Sequence, residues 1–231
     1  MKKFLACVFI LAIFSGVIFY FGWTQFRVKP DTIGIVVSKT NGIDDKPVQN
    51  GEFAWHWQFL LPTNATLKTF HIKPVETLKT ISGALPSGEA YAAIYGAEGL
   101  FNYSFTFDIS LTVSPEAVVE LMKLNKITDD SDLSAYLEGA AGTLAQHAAN
   151  FILNKAQDNP DFRAESLRRE EILRGIQIYK DFPEIDVSVF SIQSSKLPDY
   201  KMYKKIQNMQ PDELSGHDIQ RAQPDPLQEE I

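Results

Sequence analysis

The first residues of the chain place the strongest constraint on what it can fold into. Residues 4–26 contain no charged side chain, and residues 4–23 are almost wholly apolar. A helix of about twenty residues is roughly 30 Å long, which matches the hydrocarbon core of a bilayer. The far end of the stretch is aromatic, as is typical of a membrane–water interface, with Phe19, Tyr20, Phe21, Trp23 and Phe26. Residues 1–26 are therefore predicted to form a transmembrane anchor in contact with membrane lipid.

A cleaved signal peptide is the alternative interpretation of the same stretch. The apolar core of a signal peptide usually spans about 7–15 residues and is followed by small residues at the cleavage site. The apolar stretch in this chain is longer, and no such pair of small residues follows it. These two differences favour an anchor that stays attached to the body of the protein.

The charges on either side of the stretch bear on its orientation. Lys2, Lys3 and the amino terminus precede it, and Arg27 and Lys29 follow it. Because the cytoplasmic flank of a transmembrane helix tends to carry more positive charge, this balance favours a cytoplasmic N-terminus. The chain is then expected to be a single-pass membrane protein whose body is extracytoplasmic.

Composition excludes several classes of protein. The chain has 22 Lys and Arg against 29 Asp and Glu, with a formal net charge of −7. An acidic protein is a poor candidate for general nucleic-acid binding, because phosphate contacts require a basic surface. A single cysteine cannot form a disulfide within the chain. Four scattered histidines lack the spacings of metal sites, so no cofactor and no metal site is predicted.

The residues after the anchor begin with strand patterns. The segment at 32–38 and the segments at 67–72 and 75–81 are predicted strands. Residues 82–99 are rich in glycine and weakly patterned, and we expect them to form a long loop. Residues 101–113 alternate strictly between apolar and polar side chains, which predicts a strand with one buried face.

Helical signals dominate the next part of the chain. Ser114-Pro115-Glu116 predicts a capped helix start, and a long helix is predicted from about residue 130 to 156. Gly139 and Gly142 in this helix suggest close backbone packing. A third helix is predicted over 162–180, followed by a last strand over 185–192 with a bulge near Phe190. Together the patterns predict an α+β fold.

Four segments follow from these patterns. They are the anchor at 1–26, one α+β domain at 27–198, a short helix at 199–210, and a disordered tail at 211–231 rich in proline, glutamine and acidic residues.

Other groupings of reactive side chains have structural explanations. The acidic residues Asp129, Asp130 and Asp132 suggest helix capping rather than a calcium site, because the glycine and final glutamate of a calcium loop are missing. The lysines and tyrosines of residues 196–205 allow contact with phosphate or lipid, but one solvated face of an amphipathic helix is the favoured interpretation. With no catalytic spacing found, the chain is not expected to be an enzyme.

The aromatic run at residues 53–59 allows two interpretations. Large aromatic residues alternate with smaller or polar ones, which is typical of a strand packed on the core. Alternatively, the run lies at the membrane surface beside the anchor, where amphipathic rings are favoured. The residues proposed for this membrane contact are Trp55, Trp57, Phe59, Leu60 and Leu61.

The order of these features resembles a known family. The anchor precedes the run VKPDTIGIVV at 28–37, a segment from Gly51 to Pro62 carries the aromatic run, and SKLP at 195–198 closes the last strand. In this order they resemble the stomatin/prohibitin/flotillin family, also called SPFH or band 7, over nearly the whole chain. The chain is similar to a divergent member, because its last helix stops near Gln210 where the family continues into a long coiled coil.

The resemblance implies an SPFH-like domain with a mixed or antiparallel sheet and packed helices. It also implies a membrane-anchored scaffold without bond chemistry, which self-associates, organises membrane patches and binds partners such as a membrane protease or channel. Two other functions stay open. One is an anchored extracytoplasmic ligand-binding domain with residues 82–99 as a lid, and the other is an enzyme that uses a carboxylate near that segment.

Overall fold

A computed structural model describes residues 2–23, 28–159 and 161–208. The tail predicted at 211–231, the end of the last helix and Pro160 lie outside the described residues. The first element is helix α1, Lys2–Gly22, which has 21 residues and is apolar on every side after Lys2 and Lys3. Gly22 is the only buried residue in it, so nearly all of its apolar surface is uncovered by the rest of the described chain.

Most of the strands come first in the chain, most of the helices follow them, and one strand and one helix close it, as expected for an α+β fold. In chain order they are β1 (Thr32–Ser38), β2 (Gly42–Ile43), β3 (Val48–Gln49), a 3-10 helix (Trp57–Leu60), β4 (Ala65–His71), β5 (Val75–Ala84), α2 (Gly88–Tyr95), β6 (Asn102–Val113), α3 (Pro115–Lys123), α4 (Asp130–Asp158), a 3-10 turn (Ala164–Ser166), α5 (Arg169–Ile176), α6 (Ile178–Asp181), β7 (Ile185–Lys196) and α7 (Tyr200–Gln207).

Strand β1 is the centre of the first sheet. It pairs antiparallel with β2, β3 and β4, and its register with β4 runs from Thr32 opposite His71 to Ser38 opposite Ala65. A strand that has partners on both edges and is buried on both faces has a nearly continuous apolar sequence, which explains the sequence TIGIVVS. The tight turn after β1 contains Gly42 at a φ of 73°, a conformation that glycine adopts without strain.

Strands β5, β6 and β7 form a second sheet in that order. Contacts between Thr80 and Thr106 and between Leu85 and Phe101 make the first pair antiparallel. Ser110 likewise contacts Ser188. The alternation predicted for residues 101–113 is confirmed, since apolar side chains at every second position of β6 are buried from residue 105 onward. In β7 the burial changes parity between Val187 and Phe190, as the predicted bulge requires.

The contacts divide the chain into two compact units. The first comprises the described residues of Met1–Lys79, Phe107–Ala148 and Arg169–Ser191, and the second those of Thr80–Thr106, Ala149–Arg168 and Ile192–Ile231. In the first unit, Phe107 of β6 stacks on Phe190 of β7 with ring centroids 5.4 Å apart. Helix α3 of this unit begins as predicted, because the Ser114 hydroxyl accepts a hydrogen bond from the Ala117 amide at 3.2 Å.

The core of the second unit corrects the prediction of a long loop at residues 82–99. Strand β5 continues to Ala84, and α2 follows it. Ala92 of α2 is buried in one cluster with Leu85, Phe101 and Tyr203. Gly88 allows this packing, because a Cβ atom there would lie 2.8 Å from the Phe101 Cβ. The helix therefore forms because tertiary contacts hold it, although the sequence around it has a weak pattern.

Three further predictions are wrong in detail. The aromatic run does not form a strand, since Trp57–Leu60 is a 3-10 helix. The helix predicted over 162–180 is broken into a 3-10 turn, α5 and α6. Gly139 and Gly142 are not sites of close backbone packing, because a Cβ atom at either would meet nothing within 4 Å.

Candidate membrane-interface site

The end of α1 lies against the aromatic segment that follows β3. Phe19 and Trp23 at the end of α1 meet Phe53 and Trp55 of that segment, and we call these four residues the aromatic collar. Phe19 and Phe53 stack with centroids 5.9 Å apart, and Trp23 lies 5.6 Å from Phe53. Such ring pairs add about 0.5–1.5 kcal/mol beyond the burial of their surface. The collar therefore joins the apolar helix to the aromatic segment within the first compact unit.

Hydrogen bonds at the collar satisfy carbonyl groups at the end of α1. The last carbonyls of a helix lack partners within it, although the Phe19 carbonyl also accepts a hydrogen bond from the Trp23 amide at 3.1 Å. Here the Trp55 indole Nε1 donates to the Phe19 carbonyl at 3.2 Å, and the His56 amide donates to the Gly22 carbonyl at 2.8 Å. Residues 55 and 56 thus cap the C-terminal end of α1.

Gly22 is required for this close approach. A Cβ atom at position 22 would lie 2.2 Å from Trp55 Nε1 and 2.4 Å from Trp55 Cε2, well inside van der Waals contact. The indole ring thus occupies the space that any other side chain would need. By contrast, a Cβ atom at Gly16 of the same helix would meet nothing within 4 Å.

The structure places the five residues proposed for membrane contact in three environments. Trp57, Leu60 and Leu61 are exposed, while Trp55 is partly covered by the collar. Phe59 instead turns inward and packs against Val28, Val36 and Val48. The prediction of a membrane surface at this segment is not tested by these positions.

One residue of the site, Gly22, was not named from the sequence, and the stacking of Phe19 on Phe53 was not predicted. In the sequence Gly22 is flanked by Phe21 and Trp23. A glycine between large aromatic residues near the end of a helix is a signal that another large side chain packs against the helix at that position. All three tryptophans of the chain lie in this region, at positions 23, 55 and 57.

Two charged contacts hold the loop that contains Asp44 and Asp45 against other residues of the first unit. Asp44 pairs with His56 at 3.1 Å, between Asp44 Oδ2 and His56 Nε2. Asp45 forms an ion pair with Lys123, and hydrogen bonding from Lys123 holds the pKa of the Asp45 carboxyl below its ordinary value. These contacts fix the loop that precedes the aromatic segment, and they leave its exposed apolar side chains facing outward.

The other candidate clusters have structural roles. Asp132 accepts hydrogen bonds from the Thr128 hydroxyl and amide, which hold its pKa below the ordinary value, and Asp129 accepts one from the Asp132 amide at 2.9 Å. The interpretation as helix caps is therefore confirmed for Asp129 and Asp132. The Asp130 carboxylate instead accepts a hydrogen bond from the His71 amide at 2.7 Å and contacts His71 Nδ1 at 2.8 Å. Within residues 2–23, 28–159 and 161–208, no group of three or more His, Cys, Asp or Glu side chains could hold a metal ion.

Helix α7 is amphipathic, as predicted for residues 196–205, but its tyrosines lie on the buried face and not on the solvated one. Tyr200 and Tyr203 are buried in the second unit, and Lys201 pairs with Asp161 at 2.6 Å on the outside. Lys204 donates to the Gln157 carbonyl at 2.6 Å. Lys201 and Lys204 are thus held by contacts within the unit.

Comparison with known proteins finds one distant relative and no matching family model. An uncharacterized protein of Treponema pallidum (strain Nichols) is 24% identical over 187 residues, which cover 79% of this chain and 62% of that protein. The chain thus spans less than two thirds of the length of the relative. Helix α1 is the one helix among the described residues that is long and apolar enough to cross a membrane, a property that signal sequences share.

Proposed function

We propose that the protein is a membrane-anchored scaffold or regulator in which α1 is retained as a single-pass anchor. The aromatic collar is the observation that carries this proposal. Its Trp55 binds the Phe19 carbonyl and fills the space over Gly22, and the adjacent His56 amide binds the Gly22 carbonyl. Cleavage at the end of α1 would remove these partners from Trp55 and His56. In a cleaved signal peptide, close packing between Gly22 and Trp55 would be lost on cleavage. This packing therefore favours an anchor that stays attached.

Lipid is the environment proposed for the uncovered side chains of α1. Its 21 residues extend roughly 32 Å at about 1.5 Å each, which is enough to cross the hydrocarbon core. Tryptophan prefers the boundary between lipid and water, where its ring is apolar and its N–H can form a hydrogen bond. The aromatic collar, together with Trp57, Leu60 and Leu61, is proposed to lie at this boundary.

The proposed work of the body is binding rather than bond chemistry. As in the SPFH family, it would self-associate and bind a partner membrane protein, with the N-terminus cytoplasmic and the body extracytoplasmic. Support for this comes from the order of anchor, β-rich part, helices and last strand, and from the charges that flank the anchor. The alternative with a lid over a ligand pocket needs a loop at residues 82–99, and this segment instead holds the end of β5 and α2.

Mass spectrometry of the membrane fraction, combined with tryptophan fluorescence, tests the anchor. We expect the intact chain to include residues 1–26, and its emission to be quenched by lipids brominated near the headgroup more than by lipids brominated at the chain ends. Because every tryptophan lies at or beside the collar, the signal reports on this site alone. A body that lacks its first two dozen residues, or equal quenching at both depths, contradicts the proposal.

Two variants separate the collar from the helix itself. Gly22→Leu would clash with Trp55, so we expect a shift in tryptophan emission and faster proteolysis in the segment after β3. Gly16→Leu is the matched control on the same helix and should change neither. If both variants behave as the wild type does, the collar is not a structural link.

Crosslinking in cells tests the scaffold. We expect crosslinked species larger than one chain that contain this protein and a membrane partner. Recovery of a monomer alone after crosslinking, with no partner in the membrane fraction, contradicts this part of the proposal while leaving the anchor intact.

A further inference from the structure

A cavity of about 470 Å³ lies where α5 gives way to α6 in the first unit. The break between these helices has a cause in the sequence. Ile176 and Ile178 are both buried, but residues two apart on one straight helix point in nearly opposite directions. Gln177 resolves the conflict by adopting a φ of 50°, the left-handed conformation that non-glycine residues seldom adopt. The turn it creates shapes the cavity.

Positive charge dominates the lining of this cavity. Arg169, Arg174 and Lys180 line it together with a single carboxylate, Glu170. The Arg169 guanidinium donates to the Val187 carbonyl, which fixes its position. Within the part of the chain that the structure describes, Arg174 and Lys180 form no ion pair. A local net charge of +2 therefore stands out in a chain whose total is −7.

The rest of the lining is apolar or neutral. Leu173, which is largely buried, and the exposed ring of Tyr179 face the same cavity as the cations. Its volume lies within the range of about 300–1,000 Å³ that is common for small-molecule sites. A site of this kind suits an anionic group attached to a less polar body.

We propose that this cavity binds a phosphate monoester. Such a group carries about −1.5 to −2 charges at pH 7, which matches the local excess of two positive charges. Guanidinium groups bind phosphate oxygens through paired hydrogen bonds, and a lysine ammonium adds a point charge. Strained backbone is common at binding sites, which agrees with the position of Gln177 in the lining. The monoester could belong to a soluble molecule or to a lipid headgroup.

Binding is tested on the full chain in nanodiscs of phosphatidylcholine, in a buffer free of phosphate. One arm titrates inorganic phosphate and phenyl phosphate by calorimetry. The other compares nanodiscs that contain phosphatidic acid, whose headgroup is a monoester, with discs that contain phosphatidylglycerol, which is anionic but a diester. Saturable binding of the soluble probes assigns the site to a soluble ligand. Thermal stabilisation by phosphatidic acid but not phosphatidylglycerol assigns it to a lipid.

Variants show whether the cavity is responsible. In Arg174→Gln/Lys180→Gln we expect about tenfold weaker binding of the probe that bound the wild type, or loss of the stabilisation. Lys39→Gln/Lys46→Gln removes the same charge from exposed positions outside the cavity and should bind within twofold of the wild type. If the double variant unfolds at a lower temperature than the wild type in the absence of ligand, Lys180→Gln alone replaces it in the binding measurement. No binding in either arm, or equal weakening in the control, overturns the proposal.

Discussion

The two longest helices, α1 (Lys2–Gly22) and α4 (Asp130–Asp158), use their apolar residues in opposite ways. In α4 the side chains of one stripe are buried, including Leu133, Leu137 and Leu144. In α1 apolar side chains face every direction and are exposed up to the last turn. The difference teaches that α4 finds its apolar partners within the chain, whereas α1 needs an environment that the described residues do not supply. This supports the proposal that lipid surrounds α1.

The first turns of the two helices also differ in the sign of their charged residues. Helix α4 begins with Asp130 and Asp132 in its first turn, where negative charge is favoured by the helix dipole. Helix α1 begins with Lys2 and Lys3 and has no acidic residue in its first turn. In water this arrangement is unfavourable, but lysines before an apolar helix are typical of the cytoplasmic flank of an anchor. At its other end, α1 depends on the aromatic collar.

Removing a leucine from each helix should give the largest contrast. Leu137 in α4 is 2% exposed and Leu11 in α1 is 64% exposed. For Leu137→Ala we expect a loss of about 2–5 kcal/mol in the free energy of unfolding, because a cavity remains in the core. Leu11→Ala should leave the unfolding of the body unchanged. Urea titration of the full chain in detergent, followed by circular dichroism, measures both. Similar losses in the two variants would contradict the contrast.

Helix α4 is also held by a polar contact that should respond to pH. The Glu184 side chain is 7% exposed, and it accepts a hydrogen bond from Lys126 at 2.7 Å and one from Tyr136 of α4 at 3.5 Å. Burial raises the pKa of Glu184, but the hydrogen bond from Lys126 and backbone contacts outweigh it and hold the pKa below the ordinary value. The stabilisation is therefore present at pH 7 and is lost as the pH falls from about 4.5 through the folded pKa.

For Glu184→Gln we expect a loss of about 1–2 kcal/mol at pH 7, moderated because Lys126 is 38% exposed and can be solvated. The loss should shrink as the pH falls below about 4, since the wild type then loses the same contact. Denaturation at pH 7 and pH 3.5 measures both values. Asp161→Asn, which breaks the exposed pair with Lys201, is the control and should change stability little at either pH. A pH-independent loss for Glu184→Gln would contradict the assignment.

Long periodic patterns in the sequence predicted much of the fold. Helix α1, strand β6 and helix α4 follow patterns that extend over many residues, and the cap at Ser114 is a local motif. In each case the information lies in neighbouring residues. The α+β fold and an apolar N-terminal helix were therefore predictable without knowledge of any long-range contact.

The elements that were missed depend on contacts between distant residues. Helix α2 has no side-chain cap and forms where Gly88 and Ala92 meet the cluster around Phe101. The break at Gln177 results from the burial of both flanking isoleucines, which no periodicity shows. At the candidate site, the bond from Trp55 to Phe19 joins residues 36 apart, so composition indicated an aromatic interface but could not pair its members.

The start of α4 offers a smaller test of the contrast between helix ends. Asp129 accepts a hydrogen bond from the Asp132 amide in the first turn, so for Asp129→Ala we expect a loss of about 1 kcal/mol in unfolding free energy. The matched variant Lys3→Ala at the start of α1 should leave the unfolding of the body unchanged, because that end of α1 makes no contact that caps a helix of the body. Urea titration of both variants measures the two unfolding free energies. An equal loss of unfolding free energy in the two variants would show that α1 unfolds together with the body.

Glycine-to-alanine exchanges give the smallest effect and the sharpest test, because the same change should act in opposite directions in the two helices. At Gly139 of α4 a methyl group meets nothing within 4 Å, so Gly139→Ala should stabilise by about 0.5–1 kcal/mol through helix propensity. At Gly22 of α1 the same methyl group would lie 2.2 Å from Trp55 Nε1, so Gly22→Ala must displace the indole from the Phe19 carbonyl. Denaturation should rank Gly139→Ala above the wild type, and tryptophan emission should shift only for Gly22→Ala. If Gly22→Ala gained stability as Gly139→Ala does, the last turn of α1 would be an ordinary exposed helix end, and the case for its retention in the folded protein would fail.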